Sequence, residues 1–289
     1  MAPSLTGDPA VLVLGASTAS GREFLSQAAE SGLQALAVSR RQPTRSLPGI
    51  TWLQHDLSEG PAPVMAGVLV SFGPVGLALR QMTASHSIGR VVAISSASTV
   101  FKADSPDALE RSAMVRIAAE ESRLAAQCAA RGAGLTLFKT TMIYGGGSDA
   151  NVARLADLSS RLPFVPVAGR GLRQPVHAHD LAELAQRVLA MDERSFGTWL
   201  LGGGETLDYP ALLRRVASAQ GRAARIIRLP CAVLKLALAL AHASGRLGDV
   251  RPVMLERQAV DLVVDDQPAR ARLGWNPRPF RPDGAALRS

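Results

Sequence analysis

The stretch VLVLGASTASGREF, residues 11 to 24, does most to limit what this chain can become. Four apolar residues in a row, small residues from Gly15 to Gly21 and then a helical pattern describe a strand buried on both faces that turns tightly into a helix. Such strands belong to parallel sheets with helices covering both sides. The pattern then repeats. GREFLSQAAESG reads as a helix ended by Gly32, LQALAVSR as a second strand, and VMAGVLVSFG and GRVVAISSAS as further short apolar runs. DALERSAMVRIAAEESRLAAQCAARG has helical periodicity with a stop at Gly132, and LTLFKTTMIYG is another strand. Strands separated by helices imply parallel pairing, so the fold class is α/β with a doubly wound parallel sheet.

On a Rossmann-type sheet of this kind the opening loop has a mechanical reading. A strand ending in Gly15 turns tightly, Ser17, Thr18 and Ala19 let the backbone approach a phosphate, and Gly21 lets the helix pack close with its N-terminal amides facing the anion. A glycine-rich turn alone is also an ordinary turn; its place between the first strand and the first helix selects the dinucleotide reading. The second strand ends AVSRRQ, with Arg40 and Arg41 where an acidic residue would bind a ribose 2′-hydroxyl. That favours NADP(H) over NAD(H), the alternative for the pair being a solvated loop. In WLQHDLS, Asp56 and Leu57 stand where an adenine edge would lie, or else form a plain turn.

Composition excludes several classes. With 289 residues, 47% of them hydrophobic, the chain suffices for one large domain and a smaller lobe. The net charge of +8 is nearly all arginine, scattered along the chain, with lysine only at 102, 139 and 235. This points to a small anionic partner and not to nucleic acid. Cys128 and Cys231 are too far apart in sequence for a disulfide framework or a metal spacing, so no metal site is expected. The start MAPSLTGDPA lacks a secretion signal, which makes the expected location cytoplasmic. Residues 229–244 are strongly apolar but shorter than the ~20 residues of a membrane span, and Lys235 interrupts them. No transmembrane segment is expected; a lobe helix is the first reading, a membrane-surface contact or a homodimer face the alternatives.

In order, GASTASG, HDLS, VSFG, VVAISSAS, LFKTTMIYGGG, RQPVHAHDLA and WLLGGGETLDY resemble the extended short-chain dehydrogenase/reductase superfamily, the NAD(P)-dependent epimerase/dehydratase family. ARARLGWNPRPF is similar to the family's C-terminal segment. The resemblance implies a dinucleotide domain over 1–145, with 176–204 returning to it, and a substrate lobe from 146–175 and 205–289. It also places Phe72 and Gly73 beside the cofactor, a hinge at Gly145 to Gly147, and Ser96, Asn151, Arg154, Arg173 and His177 toward a nucleotide-linked sugar. Asp180 is a further candidate, as a helix cap or a functional acid.

The family's chemistry uses a Tyr-x-x-x-Lys pair on a helix and a hydroxyl at the end of the preceding strand. In that family the lysine binds the nicotinamide ribose and lowers the pKa of the tyrosine, which moves a proton. Aligning Glu120 with the family's helix glutamate puts Ser112 in place of tyrosine and Arg116 in place of lysine, while Ala97 takes the strand hydroxyl's position. Arg116 keeps a ribose contact but has no proton to give. Ser98, Tyr144 and His177 are the remaining acid–base candidates. Two functions follow: an epimerase, dehydratase or reductase with non-classical acid–base residues, or a non-catalytic NADP(H)-binding regulator, redox sensor or accessory subunit.

Overall fold

The computed structural model describes residues 11–41, 46–146, 152, 155–157, 164–243 and 251–283. Strands β1 (Val11–Leu14), β2 (Ala35–Ser39), β3 (Ile50–Gln54), β4 (Val68–Ser71), β5 (Arg90–Ser96) and β6 (Gly134–Thr140) build most of the central sheet. The short strands β7 (Ile143–Tyr144), β8 (Val165–Val167), β9 (Leu172–Arg173) and β10 (Val176–His177) come next in the chain. Then β11 (Gly197–Leu201) joins the sheet, giving the order β3-β2-β1-β4-β5-β6-β11 with every pairing parallel. The order reverses between β1 and β4, and in such sheets the crevice beyond the carboxyl ends at the reversal is where ligands sit.

Strand alternation divides the core into two layers. Leu12, Leu14, Leu36, Leu69 and Leu137 face α2 (Val75–Ala84) and, beyond the short α3 (Ser98–Phe101), the long α4 (Ala108–Ala130). Val11, Val13, Ala37, Val70 and Phe138 face α1 (Ala19–Ser31) and α5 (Ala178–Leu189). Phe24 and Leu25 of α1 are fully enclosed there, each contributing about 1.5–3 kcal/mol relative to exposure. The helix ends are those read from the sequence: Gly32 closes α1 in the left-handed region at φ 74°, and Gly132, at φ 65°, follows the end of α4.

The lobe carries β12 (Leu207–Asp208), which pairs antiparallel with β9, and β13 (Ile226–Arg228), parallel to β8. Its helices are α6 (Tyr209–Ala219), α7 (Cys231–Ala243), α8 (Pro252–Glu256) and α9 (Gln267–Leu273). Ala269 and Leu273 of α9 and Trp275 pack into the sheet's own core, and the Trp275 indole donates to the Gly202 carbonyl at 2.9 Å. The apolar side chains of the segment 267–275 are buried against α5 and β11. In α7, Leu234 and Leu238 are buried while Val233, Leu236 and Leu240 are exposed. Among the described residues no helix is long and apolar enough to cross a membrane.

Candidate functional site

The glycine loop is fixed by contacts between main chains. A Cβ on Gly15, whose φ is +68°, would lie 2.5 Å from the Gly73 nitrogen, and one on Gly21 would lie 2.2 Å from the Gly15 carbonyl oxygen. Loop, helix and the end of β4 thus meet with no room for a side chain. Phe72 is buried beneath them, its ring 5.3 Å from that of Phe24. Thr18, midway between the two glycines, turns its hydroxyl inward, donating to the Gly15 carbonyl at 2.8 Å and accepting the Gly21 N–H at 3.1 Å. It is the N-cap of α1. The Ala19 and Ser20 amides open the helix and have no intrahelical acceptor. The buried Ser20 and Ser71 hydroxyls have no hydrogen-bond partner among the described residues.

Arg22 donates to the Ser17 carbonyl at 2.6 Å and to that of Gly146, tying the loop to the Gly145–Gly146 turn, where φ is 98° and 71°. A side-chain-free approach, open helix amides and orphaned hydroxyls fit a dinucleotide pyrophosphate. Arg40 and Arg41 are exposed at the end of β2. The Asp56 carboxylate accepts the Ser58 N–H at 2.9 Å and its hydroxyl at 2.7 Å, bonds that close a turn and hold its pKa below the ordinary value. Leu57 packs, partly buried, against the α2 side of the sheet.

Beyond the carboxyl ends of β5 and β6 lies a cavity of about 380 Å³, closed on its far side by the lobe. Ser95, Ser96, Ser98, Thr140 and Thr141 line the strand side; Phe101, Met142, Ile143, Met254 and Leu262 add apolar surface. Lys102, Arg173 and Arg257 bring positive charge, and Tyr209 and two glutamines complete the lining. Ser96, Ser98 and Arg173 stand in this wall. The guanidinium of Arg173 donates to the carbonyls of Leu172, Val260 and Arg257 at 2.7, 2.8 and 2.7 Å and lies 5.3 Å over the Tyr209 ring. It braces the segment 257–260 against β9.

The α4 face turned to the sheet offers a second register for the catalytic helix. Glu121 is buried, accepts the Ser95 hydroxyl and pairs with Lys139 at 2.9 Å. One and two turns earlier on that face stand Ile117, packed on the core, and Ala113, both half-buried. Ser112 and Arg116 are exposed. The glutamate paired with Lys139 is Glu121; counted from Glu120 the tyrosine and lysine positions are Ser112 and Arg116, and counted from Glu121 they are Ala113 and Ile117. Ala97 is buried with no hydroxyl to offer. None of the Ala97, Ala113 and Ile117 side chains carries a titratable proton.

Tyr144 and His177 come together, but away from the cavity lining, where β7 pairs with β10. Their rings meet edge-on at 4.9 Å. The buried Tyr144 hydroxyl donates to the Pro279 carbonyl at 3.3 Å and accepts the Arg281 N–H at 3.2 Å, and burial pushes its pKa up. It is a core residue. His177 Nδ1 accepts the His179 N–H at 3.1 Å, making His177 the N-cap of α5, and burial lowers its pKa. Asp180 is therefore no cap; it is buried and binds the Arg278 N–H and side chain at 2.9 and 2.6 Å. Burial also raises the Cys128 thiol to about 11. Asn151, Arg154 and Gly147 lie outside the described residues.

Sequence reasoning did not single out Lys102, Arg257, Tyr209, Glu121 or Lys139. One signal pointed to two of them. Lysine is rare in this arginine-rich chain, and each of the three lysines pairs with a glutamate: Lys102 with Glu110, Lys139 with Glu121 and Lys235 with Glu256.

No protein-family model matches the sequence, and no curated protein matches it. Solved structures match along nearly the whole chain. MoeE5 in complex with UDP-glucuronic acid and NAD superposes with a TM-score of 0.68 at 20% identity, covering 95% of each chain. UDP-N-acetylglucosamine 4-epimerase from Bacillus cereus gives 0.65 at 13% identity, covering 97% of each. UDP-glucose 4-epimerase from Thermus thermophilus, in complex with NAD, gives 0.63 at 18% identity, covering 96% of each. Over nearly its whole length, the chain shares the fold of these solved structures.

Proposed function

We propose that the chain holds a nicotinamide dinucleotide on the Gly15–Gly21 loop and a nucleotide-linked sugar in the adjoining cavity, as a protein of the epimerase/dehydratase type whose acid–base groups are not the classical ones. The observation that carries this reading is the juxtaposition of a side-chain-free phosphate cradle with a hydroxyl- and cation-lined cavity at the same edge of the sheet. A bound nicotinamide supplies hydride transfer. This chain's residues orient the ligands: α1 amides toward phosphate, Ser96, Ser98, Thr140 and Thr141 toward sugar hydroxyls, and cations toward negative charge. The exposed Arg40 and Arg41 support NADP(H) over NAD(H). The epimerase-like fold and the scattered charge support a cytoplasmic location, and a homodimer through the exposed side of α7 is compatible with its apolar residues.

A second reading, a non-catalytic NADP(H)-binding regulator, is favoured by the buried Ala97 and by an α4 that has no tyrosine or lysine in either glutamate register. The two readings separate in one experiment. The purified protein is titrated with NADPH and NADH, then assayed for turnover of a UDP-sugar panel. Tighter NADPH binding with measurable turnover supports the enzyme; tight binding with no turnover supports the regulator. Failure to bind either dinucleotide overturns both.

A further inference from the structure

Lys102 is placed as no other lysine of the chain is. It follows α3, its N–H bonding the Ser98 carbonyl at 2.9 Å, so it stands one turn beyond Ser98 in the strand wall of the cavity. Its ammonium lies 3.2 Å from Oε1 of Glu110, a carboxylate that is only 7% exposed. The other oxygen of Glu110 accepts the Ser105 hydroxyl at 2.7 Å and a guanidinium N–H of Arg257, which also lines the cavity.

Lys139 and Lys235 each have a glutamate that no second cation shares among the described residues. Lys102 and Arg257 divide a single buried carboxylate between them. That carboxylate cannot neutralise both, so positive charge is left at the cavity wall, beside the apolar surface of Phe101 and Met254. Glu110 is the one acceptor for the Lys102 ammonium among the described residues, and an ammonium has three N–H donors. Burial and the neighbouring Arg257 hold the Lys102 pKa below the ordinary lysine value, against the pull of Glu110. Charge removed from water in this way is costly until an opposite charge arrives.

We propose that Lys102 recognises a carboxylate on the sugar of the ligand, so that the cavity selects an acidic nucleotide-linked sugar, a hexuronic acid type, over its neutral counterpart. Lys102 belongs to the wall built by Ser95, Ser96 and Ser98 at the end of β5, opposite the lobe wall of Arg173 and Tyr209. The inference rests on the nucleotide-sugar reading above and adds the class of sugar.

Calorimetric titration in the presence of NADP tests it, with UDP, UDP-glucose and UDP-glucuronic acid against the wild type, Lys102→Met and Lys102→Arg. The expected result is wild-type binding of UDP-glucuronic acid about tenfold tighter than UDP-glucose. That ratio falls to about one in Lys102→Met and is partly kept in Lys102→Arg, with UDP affinity unchanged. Equal wild-type affinity for the two sugars overturns the assignment of Lys102 while leaving the nucleotide-sugar reading in place. A preference that survives in Lys102→Met does the same. If none of the three nucleotides binds the wild type, the nucleotide-sugar reading fails and this inference fails with it.

Discussion

The loop at 15–21 and the α4 face at 113–121 serve the same edge of one sheet, and they have been treated in opposite ways. The loop meets each steric demand of a pyrophosphate cradle: glycine where a Cβ would strike backbone, and Thr18 where a side chain can fold back as a cap. The helix face keeps the Glu121–Lys139 pair that holds it to the sheet but carries no tyrosine or lysine anywhere along α4. The contrast shows that the backbone geometry for binding and the side chains for catalysis are separable. Losing the second leaves the packing intact.

The contrast is broken most severely at Gly15. Gly15→Ala forces a Cβ against the Gly73 backbone at a positive φ, and it should abolish dinucleotide binding and cost about 2–4 kcal/mol of stability, read by NADPH fluorescence titration and urea denaturation. Next comes the helix. Glu121→Ala strands Lys139 in a mostly buried site and should cost about 3–5 kcal/mol. Arg116→Ala, on the exposed side, should stay within about 0.5 kcal/mol and leave NADPH affinity unchanged. Comparable losses in the two variants would favour the register counted from Glu120. Thr18→Val removes the α1 cap and should cost about 1 kcal/mol, with Thr18→Ser close to wild type.

The smallest effect is a pH dependence from His177. Burial lowers its pKa in the folded protein, and its Nδ1 must be unprotonated to accept the His179 N–H. Above the unfolded value of about 6.5 its contribution is complete. As pH falls below that value the unfolded chain takes up the proton first, so stability declines toward the lower folded pKa. Denaturation midpoints across this range should show the decline in the wild type and its absence in His177→Asn, which keeps a capping side chain.

Where the sequence was legible, local rules decided the outcome. The apolar run of β1, the glycines at 15, 21 and 32, and the helix stop at 132 each act through backbone sterics within a few residues, so sheet class, element order and loop could be read directly. The register of α4 could not. Glu120 and Glu121 are adjacent and chemically identical, and only the packing of Ile117, Leu124 and Cys128 on the sheet decides which one turns inward. Lys102 and Arg257 lie 155 positions apart and meet through Glu110, a contact no local pattern encodes. His177 and Asp180 were assigned by motif position, whereas the tertiary contacts of Gly145 and Arg278 determine their roles.

The most direct test of the separation between binding and chemistry is to restore the chemistry in two registers. Turnover of UDP-sugars with NADP is followed by reduced-nicotinamide absorbance and product analysis in the wild type, in Ala97→Ser/Ala113→Tyr/Ile117→Lys and in Ala97→Ser/Ser112→Tyr/Arg116→Lys. The structure predicts equal dinucleotide affinity in all three, and a rate at least about a hundredfold above wild type in the 113/117 variant alone. A gain confined to the 112/116 variant, or a wild-type rate that neither variant exceeds, would contradict it.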